Sequence, residues 1–161
     1  MISTCISVTA GRARCITAIA GAFALVFTTL ALAHEGAMGV VKERMDLMDR
    51  QKDDMKIIGD MAKGVTPFDA AKATEAARDI SVTSKKIPEL FPEGSEGGES
   101  DALPAIWKEW DRFTKSADDL DRAASDLIAA LEAGSAGWKG AFKTVADACK
   151  TCHQDFRAKK N

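Results

Sequence analysis

The chain has 161 residues, with 22 lysines and arginines against 24 acids and a formal charge of −2. That even balance excludes the strongly basic surface a nucleic-acid binder needs. With 46% hydrophobic and 29% charged residues the composition is that of a folded chain, and the length suits one domain better than two. Histidine occurs twice and tyrosine never, which leaves few polar groups for catalysis, and no enzymatic activity is expected.

The first 33 residues read as a cleavable signal peptide. Arg12 and Arg14 are the only charges before Glu35, and the run from Cys15 to Ala33 is apolar, ending in Ala31-Leu32-Ala33. The basic flank stays on the cytoplasmic side, the short apolar helix enters the export channel, and small side chains at Ala31 and Ala33 fit the peptidase. An uncleaved membrane anchor is the alternative, but alanine, threonine and glycine dilute the stretch. A lipid anchor on Cys15 is disfavoured by Arg14 beside it. Removal of the segment takes away two arginines and no acid, so residues 34–161 are more acidic than the whole. Cys5 and Cys15 leave with it. Only Cys149 and Cys152 remain.

The exported part falls into four apolar patterns of helical period and shows no convincing alternating strand. The first, from Gly39 to Lys63, places Val41, Met45, Met48, Met55, Ile58 and Ala62 on one stripe, which Gln51 and Lys52 interrupt. Gly64 is a helix stop, and Thr66-Pro67-Phe68-Asp69 then offers an N-cap, a proline at the first helical position and an acid in the first turn. The second segment carries a small-residue stripe, Ala70, Ala73, Ala77, Ile80, Ser84 and Ile87, and ends around Pro88. From Pro88 to Pro104 the chain is rich in proline, glycine and acids, so it is the one long connection.

The third segment starts near Pro104, and Ile106, Trp110, Phe113, Ala117, Leu120, Ala124, Leu127 and Leu131 step by four and three throughout. Trp138, Phe142, Val145, Cys149, Cys152 and Phe156 repeat that stepping in the last segment, so both cysteines are expected on its core face. Short turns join the other pairs. The expected fold is all-α, an antiparallel four-helix bundle with one longer crossover.

Cys149-Lys150-Thr151-Cys152-His153 is a C-x-x-C-H sequence, the attachment pattern of a covalent haem c. On a helix the two cysteines lie one turn apart, so each can form a thioether along one haem edge. His153, four residues after Cys149, projects on the same side and can ligate the iron. A redox dithiol would want its cysteines near a helix start, whereas these follow a dozen helical residues. Zinc lacks a donor set beyond the motif. A disulfide between positions i and i+3 of a helix is poorly shaped and leaves the histidine unexplained.

The motif, within the C-terminal run CKTCHQDFR, resembles class II cytochrome c, the group of cytochrome c prime and cytochrome c-556. The likeness takes in Arg44-Met45-Asp46-Leu47-Met48, the Ala62-Lys63-Gly64 break with Pro67-Phe68 after it, and the Phe156-Arg157 pair. It implies a periplasmic mono-haem cytochrome domain over residues 34–161, with His153 as proximal iron ligand and Met48 on the distal side. Met48 either completes six-coordinate iron, giving an electron carrier between redox partner proteins, or only crowds the distal face, giving a five-coordinate protein that binds nitric oxide or carbon monoxide. The resemblance also places Arg44 near a haem propionate, Phe156 and Arg157 around the haem, and allows a homodimer through the first two helices. No membrane contact is expected once the signal is cleaved. The last helix is biased towards bases, Lys139, Lys143, Lys150, Arg157, Lys159 and Lys160, a face on which an acidic redox partner could dock.

Overall fold

The computed structural model describes residues 32–97 and 100–159, with side chains from Gly39 onwards. In chain order its elements are α1 (Leu32–Ala62), α2 (Ala70–Ser84), a 3-10 turn (Pro88–Leu90), the short α3 (Ala105–Lys108), α4 (Trp110–Glu132) and α5 (Trp138–Phe156). The four long helices make the bundle. Among the described residues the only extended pairing is an isolated bridge between Ala102 and Arg157. The expected signal peptide lies outside the described residues as far as residue 31, and α1 begins at Leu32, ahead of the start at Gly39 expected from periodicity.

Gly64 ends α1 as its sequence requires. Its φ of 75° is open to glycine at little cost, and the turn lets the Val65 amide donate to the Asp60 carbonyl at 2.8 Å. The cap of α2 differs from expectation. Asp69, not Thr66, is the N-cap and accepts from the Lys72 amide at 3.1 Å, while Pro67 and Phe68 stay in the connection. The Phe68 ring stacks on Trp138 with centroids 4.9 Å apart, which ties the connection to α5 and delays the helix start. α2 also ends early, at Ser84 rather than near Pro88.

The small residues Ala73, Ala76, Ala77 and Ser84 are buried, so α2 lies close against its neighbours. The expected seam of the third segment is real but interrupted. Glu109, at φ −122° and ψ 46°, breaks the helix into α3 and α4. Trp110, first after the break, is thrown off the seam and is 39% exposed, whereas Phe113, Ala117, Leu120, Ala124, Leu127 and Leu131 are all buried.

Helix α1 packs mainly on α2 and barely on α5. The latter contact includes Gly59, where an added Cβ would sit 3.5 Å from the Phe142 ring. From that contact α1 runs back to Met48 and α5 runs forward to His153 over the same number of residues, and there the two helices part around a cavity.

Candidate functional site

The cavity has a volume of about 440 Å³, and its lining includes every site residue expected from the sequence: Arg44, Met48, Cys149, Cys152, His153, Phe156 and Arg157. The C-x-x-C-H motif contributes from α5 because the heptad stepping that buries Val145 and Phe156 turns Cys149 and Cys152 inwards, where both are half-buried and free of any disulfide. Phe113, Ala117 and Leu120 of α4 and Phe156 of α5 make the wall apolar. Phe113 is central to it, edge-on to Phe156 at 5.4 Å and to Phe91 at 4.8 Å.

Electrostatics set the state of the donors. Burial pushes the Cys149 thiol above its usual range, and burial, then Cys149 and Asp155, push Cys152 up to about 11. Both are therefore neutral thiols near pH 7, which disfavours redox-dithiol and zinc-thiolate chemistry. No group of three or more histidines, cysteines and acids among the described residues is placed to hold a metal ion. Burial, then the Arg157 cation, hold His153 below the ordinary histidine range. Its imidazole is neutral and has a lone pair to offer an iron.

Helix α1 contributes Met45 and Met48. Met48 is partly buried against the core, whereas Met45, placed by periodicity on the apolar stripe, is 53% exposed. Leu47 takes the buried place instead.

Arg44 is only 4% exposed, and three donors reach the connection after α2: Nε gives to the Leu90 carbonyl, Nη1 to the Ser95 carbonyl at 3.1 Å and Nη2 to Ser95 Oγ. Its guanidinium lies 4.1 Å from the centre of the Phe91 ring. The resemblance implies Arg44 near a haem propionate; in the structure its guanidinium holds the 88–97 segment in place. Arg157 donates Nη2 to Asp101 at 3.1 Å, and the Leu103 amide donates to the Phe156 carbonyl at 2.9 Å, closing the acidic connection over the end of α5.

Two buried lining residues escaped the sequence reading. Phe91 sits in a stretch of prolines and acids that reads as solvated loop, and Gln51 reads as a flaw in a stripe; both are buried. In Gln51 the signal was the interruption itself.

A pair of thiols one helical turn apart, a neutral imidazole after them and apolar walls suit a flat macrocycle attached by one edge. The residues fit haem c. The family model described as Cytochrome C' matches residues 39–157. The chain belongs to the cytochrome c prime family. Cytochrome c-556 of Agrobacterium fabrum is 39% identical over 137 residues, covering 85% of this chain and 93% of that one. Cytochrome c-554 of Cereibacter sphaeroides is 38% identical over 152 residues, covering 91% and 99%. Among solved structures, the nitric oxide complex of a mutant cytochrome c prime from Alcaligenes xylosoxidans superposes with a TM-score of 0.71 at 29% identity, covering 77% of this chain and 97% of that one. Members of the cytochrome c prime family carry a covalently attached haem c with its iron, and that is the cofactor of this protein. No helix among the described residues is long and apolar enough to cross a membrane.

Proposed function

We propose that the protein is a periplasmic carrier of single electrons, exported by residues 1–33. In this reading Cys149 and Cys152 hold the haem as thioethers, and His153 and Met48 ligate its iron. The observation that carries it is the convergence of both thiols, the imidazole and Met48 on one cavity. When bound, the haem supplies reversible one-electron exchange between ferric and ferrous iron. The chain's residues do the rest. Phe113, Leu120 and Phe156 exclude water from the cavity. The neutral imidazole of His153 would ligate the iron, and the Met48 thioether, soft and uncharged, would favour its ferrous state and so raise the potential. Redox partner proteins exchange electrons with it. A homodimer would form through the outward faces of α1 and α2, where Ile57 and Val82 are exposed.

The second reading is a five-coordinate protein that binds nitric oxide or carbon monoxide, with Met48 only packed over the iron. The packing of Met48 against the apolar core supports it, because a side chain held by the core can crowd the iron without bonding it.

The optical spectrum of the purified holoprotein separates the two. Sharp visible bands in the ferrous form and a weak far-red ferric band are expected for the electron carrier, and Met48→Ala should convert them to a broad high-spin spectrum. An unchanged spectrum in Met48→Ala removes Met48 as ligand.

A further inference from the structure

Helix α1 carries the methionines of the cavity, yet it rests on α2 rather than on α5, the helix that carries the haem motif. Apart from the contact at Gly59, the position of Met48 relative to the motif is therefore relayed through α2 and α4. Apolar contacts permit sliding of one helix along another, whereas a buried hydrogen bond fixes a register. Between α1 and α2 such a bond lies one turn beyond Met48, whereas Arg44, one turn before it, is bonded to the 88–97 segment and not to α2. Gln51 is 6% exposed, and its Nε2 donates to Thr83 Oγ1 of α2 at 3.0 Å. The Thr83 hydroxyl in turn donates within its own helix, to the Asp79 carbonyl at 2.7 Å, and so presents an oriented lone pair to Gln51. A shift of α1 along α2 would leave a buried amide without a partner, which is unfavourable.

We propose that the Gln51–Thr83 hydrogen bond is the pin that sets Met48 over the haem iron. Gln51 is a positioning residue acting through Met48. The proposal rests on the reading of α1 as the distal wall of the haem site, and it holds whether the Met48 sulfur bonds the iron or only covers it.

Carbon monoxide association with the ferrous holoprotein measures the pin in either case, because the gas reaches the iron only when Met48 moves aside. Gln51→Leu and the nearly isosteric Thr83→Val are each expected to raise the association rate about tenfold, comparable with losing one buried neutral hydrogen bond. The double variant should be no faster than either single one, since both remove the same bond. In a Met48→Ala background Gln51→Leu should add nothing. Ser81→Ala breaks the bond from α2 to Asp121 of α4 and is the control for loosening α2 without touching α1; its rate should stay within about twofold of the parent. Unchanged rates in both single variants, additive rates in the double variant, a further rise over Met48→Ala, or an equal rise in Ser81→Ala would each overturn the proposal. The Met48→Ala spectrum decides iron ligation separately, so a five-coordinate parent leaves this test intact.

Discussion

Helices α4 and α5 close their side of the haem cavity with apolar side chains at heptad spacing, Phe113, Ala117, Leu120 and Phe156. Helix α1 closes its side with Arg44 and Gln51, buried polar residues tied to α2 and to the connection after it. The two walls face different demands. In the proposed reading the α5 wall carries the covalent attachments, so it needs a dry, rigid backing. On the same reading the α1 wall must hold Met48 at a set height without any covalent link to the cofactor. Apolar packing resists removal, while directional bonds resist displacement.

The largest expected effect tests the apolar wall. Phe113 touches Phe91 and Phe156 edge-on and is almost fully buried, so Phe113→Ala should cost about 3–5 kcal/mol in denaturant unfolding of the holoprotein. A loss below about 1 kcal/mol would mean that the wall collapses around the gap and that packing there is not specific.

The polar wall should fail differently. Arg44→Ala strips the Leu90 carbonyl and both Ser95 acceptors of their donor, with an expected loss of about 1.5–3 kcal/mol. The damage should be local, and limited proteolysis should cut between Leu90 and Gly97 before the helices unfold. Arg44→Lys should not restore protection, because one ammonium cannot reproduce the planar fork that spans both residues. Recovery with lysine would show that charge alone holds the segment.

The contrast also explains what could be read in advance. Along α4 and α5 each apolar residue announces its burial through the four-and-three stepping, and the motif at Cys149 to His153 announces its chemistry. That logic failed where a break in the backbone reset the phase, as at Trp110, whose displacement follows from the geometry of Glu109. It failed again where burial is secured by a partner far along the chain. Nothing local tells that Arg44 will find Ser95, or that Phe91 will drop out of an acidic loop onto Phe113. Asp69 took the cap from Thr66 because a stacked pair, Phe68 on Trp138, holds the residues before it out of the helix.

The smallest effect concerns the outer side of the same α1–α2 junction. Asp54 Oδ2 is buried without a donor, and the Asp79 carboxylate beside it is bonded to Arg50. Burial first, then Asp79, push the Asp54 carboxyl up to about 7; Asp53 adds to the rise and Arg50 opposes it. The folded protein thus keeps a proton that the unfolded chain releases near pH 4. Stability from this group is complete below that pH and is lost as pH rises through about 7. Because the site is partly open to solvent, the change should amount to only about 1 kcal/mol between pH 5 and pH 8. Asp54→Asn keeps the neutral state at every pH and supplies a donor for Asp79, so its unfolding free energy should lose this component of the slope and exceed the parent's at pH 8. An equal slope in both proteins would place the proton elsewhere and leave the Gln51–Thr83 and Arg50–Asp79 bonds as the polar ties between α1 and α2.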